Sequence, residues 1–99
     1  MISVKVHKSY RTVVAICDSS LLGKKFEEGK KQLEVREGFF KEIEISYKEA
    51  VKLMEFQAKE DATFNIVGEY AVKAAKEAGI INSKGIGKIS NIPYALVLL

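Results

Sequence analysis

The sequence predicts an α+β fold in a single domain spanning residues 1–99: an amino-terminal β-hairpin and further short strands in a mostly antiparallel or mixed sheet, with two consecutive helices packed on one face. Three observations predict it. Apolar and polar residues alternate over Ile2–His7, a continuous apolar run covers Thr12–Cys17, and Ser46 begins a helix-capping sequence. Nearly half of the 99 residues are apolar, which is enough for one core and too little for two.

The first two segments predict a hairpin. Ile2, Val4 and Val6 fall on one side of a half-buried strand, and the polar stretch 8–11 leads into the run Thr12–Cys17, which has the composition of a central strand. After it, Asp18 is placed to cap a short helical turn ending near Leu22.

Strand signals in the next part are weaker. Gly23 leads into a charged segment over residues 24–31, and a third strand is predicted at Leu33–Val35. Ile43 and Ile45 alternate with acidic residues, which predicts a short edge strand whose acids face water.

Two helices are predicted in the second half. Ser46 and Glu49 form a capping box, so the first helix should run from Tyr47 to about Lys59. The second is predicted to begin after Asp61, to bury a stripe of apolar residues and to stop at Gly79. The predicted stripe consists of Phe64, Val67, Ala71, Ala74 and Ala78.

The carboxyl-terminal part predicts two more strands. Residues 83–88 form a turn rich in glycine and lysine, which matches neither of the common phosphate-loop signatures. Strands are expected near Lys88–Ser90 and at Tyr94–Leu98, with Pro93 separating them.

Charge is unevenly distributed along the chain. Residues 1–36 hold eight basic and four acidic residues, 37–77 hold six and nine, and 78–99 hold two and none. Basic ends favour a polyanionic partner, but abundant lysine and glutamate without tryptophan is also typical of surfaces of proteins from hot environments.

The single cysteine cannot form an internal disulfide, and no apolar run is long enough to span a membrane. We therefore expect a cytoplasmic protein that does not associate with a membrane.

Metal, cofactor and catalytic signatures are weak. The chain has one histidine and one cysteine, His7 and Cys17, whereas a zinc site needs several such ligands. Cys17 lies in an apolar strand, where an unreactive buried thiol is the common outcome. We therefore expect no metal, no cofactor and no catalytic residue, and an enzymatic role is disfavoured but left open.

Basic residues near the predicted turns are candidates for contacts with RNA phosphates. The alternative for each is an ordinary solvated surface or turn, because proximity in sequence does not produce a converging patch. The candidates are Lys5, His7, Lys8, Arg11, Lys24, Lys25, Lys84 and Lys88.

A second candidate surface surrounds Gly68. Within a predicted helix, this glycine costs about 1 kcal/mol relative to alanine, so close approach of another backbone or of a ligand should require it. Asn65 and Glu69 would then lie on the same side of the helix, four residues apart. Tight packing through Gly68 is the structural alternative. Pro93 and Tyr94 complete the candidate surface.

Several segments together resemble an archaeal family known as domain of unknown function 424. They are Lys5–His7, Thr12–Asp18, Leu22–Lys24, Asn65–Glu69, Ala71-Val72 and Ile92–Ala95, and they cover nearly the whole chain. This sequence has Tyr94 where the family is expected to have a histidine. The resemblance implies an archaeal cytosolic protein that works near translation, and implies no established reaction, substrate or catalytic residue.

These observations lead to two expected functions. The first is a non-enzymatic accessory module that binds ribosomal or other structured RNA. The second is a protein-interaction module, or a homo-oligomer, that docks through the Gly68 surface or the last strand. An enzyme would need His7, Asn65, Glu69 and Tyr94 to meet in one pocket.

Overall fold

The computed structural model describes residues 1–98 and contains eight strands and three α-helices in that part of the chain. Two short 3-10 turns, Ser19–Leu21 and Ser83–Gly85, connect some of them. In chain order the elements are β1 (Ile2–His7), β2 (Val13–Asp18), β3 (Lys25–Glu28), β4 (Lys31–Glu34), α1 (Glu37–Phe40), β5 (Ile43–Ile45), α2 (Tyr47–Lys59), β6 (Thr63–Val67), α3 (Glu69–Glu77), β7 (Gly87–Ile89) and β8 (Ile92–Val97).

Six strands form one mixed sheet in the order β5-β1-β2-β6-β8-β7, and β3 pairs with β4 as a separate hairpin. The central strands β2 and β6 are parallel, and the other pairs of the main sheet are antiparallel. The predicted α+β class is confirmed, and its sheet is of the mixed kind.

The sheet has a layer on each face. On the helix face, α2 and α3 cover inward side chains of the central strands, including Val14, Ile16, Phe64 and Ile66. On the opposite face, which we call the hairpin face, the β3–β4 hairpin and α1 cover a smaller cluster that includes Cys17. Successive strand residues alternate between these two layers.

Several predicted elements are confirmed. The amino-terminal hairpin pairs β1 with β2, and β5 is an edge strand of the sheet. Helix α2 has the predicted bounds and a complete capping box: Glu49 N donates to Ser46 Oγ at 3.1 Å, and Ser46 N donates to Glu49 Oε1 at 2.9 Å.

The predicted second helix was wrong in its first half. Thr63–Val67 is the buried strand β6, and α3 begins only at Glu69. Phe64 fits a helical stripe with Val67 and Ala71, but it fits an alternating strand with Ile66 equally well. Gly68 ends the ambiguity, because its φ of 111° interrupts any helix through this point.

The charged hairpin was only partly predicted. Strand β3 was missed, and β4 covers Lys31–Glu34, where a strand at Leu33–Val35 was expected. Phe26 and Leu33 are the hairpin's apolar side chains against the core, so too few residues alternate to give a clear strand pattern.

The expected role of Pro93 was also wrong. Pro93 lies inside β8, opposite Lys88, and the break between β7 and β8 is a two-residue turn at Ser90 and Asn91. Both turn residues have positive φ, 51° and 66°, as tight hairpin turns require.

Candidate functional site

The carboxyl ends of the parallel strands β2 and β6 meet at the start of α3, and Asp18 joins them. Its Oδ1 accepts a hydrogen bond from Ala71 N at 2.8 Å, and its Oδ2 accepts one from Tyr70 N at 3.2 Å. Asp18 was expected to cap the adjacent turn, but the turn receives no side-chain cap from it. The carboxylate instead caps a helix more than fifty residues away along the chain.

Burial and hydrogen bonding act in opposite directions on Asp18. Burial raises the pKa of this carboxyl group, and the nearby Glu69 carboxylate raises it further, while the two backbone N–H groups and the chain's amino terminus lower it. Burial is the largest influence, so the net pKa lies above its ordinary value. The Asp18 carboxylate itself occupies the anion position at the amino end of α3.

An open groove lies beside α3, between the helix and strand β8. It has a volume of about 450 Å³, within the range of about 300–1,000 Å³ typical of ligand pockets. Lys88 is the strand partner of Pro93 and therefore projects from the same face of the sheet as this groove residue. The groove is lined by Glu69, Tyr70, Val72, Lys73, Lys76 and Pro93.

A second hollow, of about 290 Å³, shares Tyr70 with the groove. Tyr70 is 61% exposed and lines both hollows. Lys73 also links them, because it lines the groove and holds its Nζ 5.8 Å from the centre of the Tyr47 ring. The second hollow is lined by Met1, Ile2, Ser46, Tyr47 and Tyr70.

A further hollow of about 480 Å³ lies where α2 and α3 end. It is lined by Glu55, Ala58, Lys59 and Ala78, so its two charged side chains have opposite sign and it has no aromatic residue. This composition offers no evident ligand chemistry.

Two of the predicted phosphate-binding residues contact α1. Lys5 Nζ donates to the carbonyl of Gly38 at 3.0 Å, and His7 Nε2 donates to the carbonyl of Phe39 at 2.8 Å. The His7 ring also stacks on Phe39, with ring centres 4.6 Å apart. Both side chains therefore help to hold α1 against the sheet.

The eight predicted basic residues do not form one patch. Lys8 and Arg11 lie in the turn before β2, whereas Lys24 and Lys25 follow the strand, so the two pairs lie toward opposite ends of β2. Lys84 and Lys88 belong to a third group, in the turn before β7 and in β7 itself. Of this third group, Lys88 projects from the face of the sheet on which the groove residue Pro93 lies.

The second predicted surface is divided between the two faces of the sheet. Tyr94 packs on the hairpin face, near Gly87, and Asn65 projects from that face. Glu69 and the buried Pro93 line the groove beside α3. His7, Asn65, Glu69 and Tyr94 therefore do not meet in one pocket.

Sequence reasoning missed Tyr70, Lys73 and Lys76. All three are exposed on α3. The spacing of Lys73 and Lys76, three residues apart, places them on the same side of a helix, and this spacing could have identified them from the sequence. The second wall of the groove comes from β8, and its position depends on strand pairing that the sequence pattern does not reveal.

Metal-binding clusters and membrane-spanning helices are both absent from residues 1–98. No group of three or more histidine, cysteine, aspartate or glutamate side chains there is arranged to hold a metal ion. No helix in this part of the chain is both long and apolar enough to cross a membrane.

Comparison with known proteins shows the fold and the family. An uncharacterised conserved protein from Methanopyrus kandleri has a similar crystal structure, with a TM-score of 0.87, 22% identity, and coverage of 97% of this chain and 89% of that one. At this identity the likeness shows the fold alone. No curated protein sequence matches the chain. The profile of a family described as protein of unknown function, DUF424, matches residues 7–99, and the chain belongs to that family.

Proposed function

We propose that this protein is a non-enzymatic accessory module that binds RNA through the groove beside α3. The observation that carries the proposal is that two exposed lysines, Lys73 and Lys76, line this groove together with the exposed residue Tyr70. Lys88 adds a third exposed lysine on the same face of the sheet as the groove residue Pro93. Lysine ammonium groups neutralise phosphates, and an exposed aromatic ring provides a surface on which a base can stack.

The charges beside the groove favour a polyanion. None of Lys73, Lys76, Lys84 and Lys88 forms a salt bridge within residues 1–98, where the ion pairs are Lys25 with Glu27 and Arg36 with Glu34. Lys84 lies in the turn that leads into β7, the strand that carries Lys88. Glu69 is the acidic residue of the groove lining.

The test is a titration of the protein into a labelled single-stranded RNA of mixed sequence, repeated at several salt concentrations. Fluorescence anisotropy of the RNA measures the binding. Lys73→Glu combined with Lys76→Glu should weaken binding at least tenfold. The slope of log K against log salt should also become shallower by about 0.7 for each phosphate that the variant no longer neutralises.

A matched control exists on α2. Lys48 and Lys52 are exposed helical lysines away from the groove, so Lys48→Glu with Lys52→Glu makes the same change in net charge. Equal loss of affinity in both double variants would mean that net charge alone attracts RNA, and undiminished affinity in the groove variant would refute the proposed site.

The proposal extends to a role near translation, in the cytoplasm of an archaeon. Its support is the resemblance described above and the basic ends of the chain. Sedimentation of tagged protein in native cell extract, with sequencing of the RNA that co-purifies, tests this part. Association with a ribosomal subunit that disappears as salt rises is the expected result.

A protein-interaction role is the alternative, and the last strand favours it. Leu96 is 56% exposed on β8 opposite Asn65, on the part of the hairpin face that the β3–β4 hairpin leaves open. Leu98 follows and is 72% exposed. Association that survives high salt and is abolished by Leu96→Glu would favour this role over RNA binding.

The surface around Gly68 offers a protein partner less than the last strand does. Gly68 is buried and faces the carboxylate of Asp18, so its missing side chain leaves space for a neighbour within the chain. A partner has no access to it.

A further inference from the structure

We infer that the groove and the hollow beside it bind two consecutive unpaired nucleotides, one base on each side of the Tyr70 ring, with their linking phosphate at Lys73. This inference rests on the proposed function and specifies its ligand as single-stranded RNA. The observation behind it is that Tyr70 is a shared wall of the two hollows, of about 450 and 290 Å³.

The backbone at Tyr70 is fixed at the start of α3. Its backbone N–H donates to Asp18 Oδ2, so the start of α3 is fixed to the end of β2, while 61% of the residue remains exposed. A ring on a rigid support stacks with a base at little entropic cost, because few side-chain torsions must be ordered on binding. The ring is also open to solvent on the surface that the lysines share.

The two hollows differ in chemistry. The groove has the Glu69 carboxylate, which accepts hydrogen bonds from amino or imino groups on a base edge, together with Lys73 and Lys76. The other hollow offers apolar and aromatic surface from the exposed Met1 and from Tyr47. A flat base with polar edges suits the first hollow, and stacking of any base suits the second.

Lys73 is a groove residue whose ammonium group also approaches the lining of the second hollow. It lines the groove, and its Nζ lies 5.8 Å from the centre of the Tyr47 ring, which belongs to the second hollow. We therefore place the phosphate that links the two bases beside this ammonium group. A mobile ammonium group there neutralises the phosphate without fixing its orientation.

Duplex RNA does not meet these requirements. Within an A-form helix the base faces are stacked on each other, and only unstacked bases can lie against an aromatic side chain. We therefore expect preference for single strands, loops or bulges over continuous duplex.

The experiment compares one short RNA containing 2-aminopurine with the same RNA annealed to its complement. For the wild-type protein we expect binding of the single strand at least tenfold tighter than binding of the duplex, with quenching of 2-aminopurine fluorescence as the base stacks. Tyr70→Ala should lower single-strand affinity about tenfold and abolish the quenching, and Tyr70→Phe should retain both.

Phe56 supplies the matched control, because it is 62% exposed on α2 and lines neither hollow. Phe56→Ala should leave affinity and quenching unchanged. Equal affinity for the duplex, or identical behaviour of Tyr70→Ala and Phe56→Ala, would overturn the inference.

The two proposals fail in distinguishable ways. If Lys73→Glu with Lys76→Glu abolishes RNA binding while Tyr70→Ala has no effect, the RNA-binding function stands and the stacking inference fails. If neither variant changes the affinity, the groove is not the RNA site and both fail.

Discussion

Gly68 leaves the space that the carboxyl group of Asp18 occupies. A Cβ atom at position 68 would overlap the Asp18 Cγ and lie 2.7 Å from each carboxylate oxygen. The two residues stand at the ends of the adjacent parallel strands β2 and β6, so a glycine at one strand end permits the helix cap at the other.

Gly68→Ala should therefore destabilise the protein strongly. The variant residue would need a φ near 111° and would collide with a carboxylate that is held by two hydrogen bonds. We expect a loss of about 3 kcal/mol in the free energy of unfolding, measured by urea denaturation.

Gly38→Ala is the control for that change. Gly38 lies in α1, has no positive φ, and a Cβ there would meet no atom within 4 Å. Alanine should be neutral or stabilise by up to about 1 kcal/mol. Equal destabilisation by both substitutions would show that the space beside Asp18 is not the cause.

Asp18 should give stability a distinctive dependence on pH. Its pKa is raised in the folded protein, so the native state binds this proton more tightly than the unfolded chain does. Its contribution is then present in full below the ordinary value of 3.8 and is lost as pH rises through the raised pKa.

Comparison with Asp18→Asn isolates this effect, because asparagine does not titrate. The stability of the wild type minus that of Asp18→Asn should fall as pH rises from about 3 to 7. Thermal unfolding across this range measures the difference. A difference that instead grows with pH would mean that the hydrogen bonds from Tyr70 and Ala71 outweigh burial.

Ser46→Ala should weaken the start of α2. The change removes the acceptor for Glu49 N and breaks one half of the capping box, which costs about 1 kcal/mol. Chemical denaturation provides the measurement. Ser83→Ala, at an exposed serine in a 3-10 turn, should change stability by less than about 0.5 kcal/mol, and a comparable loss there would contradict a capping effect.

Cys17 should be unreactive in the native protein. It is fully buried, and burial, with a smaller effect from Asp18, raises the pKa of its thiol to about 12. At pH 8 almost no thiolate is present, so a thiol reagent such as Ellman's reagent should react only after denaturant is added. Rapid reaction of the folded protein would show that the hairpin layer opens readily.

The parts of the fold that sequence predicted best are those whose signals are local. The capping box of Ser46 and Glu49 located the start of α2, and alternation at Ile2, Val4 and Val6 identified β1, because both signals lie within a few neighbouring residues.

The parts that sequence missed depend on distant partners. Phe64 was assigned to a helix because its position fits a helical stripe as well as it fits the alternation of a strand. Pairing of β6 with β2 and β8 decides for the strand. Asp18 was assigned to the nearest turn, although its hydrogen-bond donors lie 52 and 53 residues further along.

The candidate site was predictable only in part for the same reason. Lys88 and Pro93 were identified individually, but their neighbours on α3 are brought to them by packing of the helix on the sheet. Exposed residues such as Tyr70 carry little pattern of their own, because no periodic burial constrains them.

The long separation between Asp18 and α3 has a consequence for assembly of the chain. During synthesis the first hairpin emerges with its capping carboxylate unpaired, and the cap forms only after Tyr70 and Ala71 follow. If the chain is cut at Gly29, in the β3–β4 turn, one fragment carries the cap and the other carries the helix. The fragment that carries α3 should not form this helix stably alone, and adding the fragment that carries Asp18 should restore it.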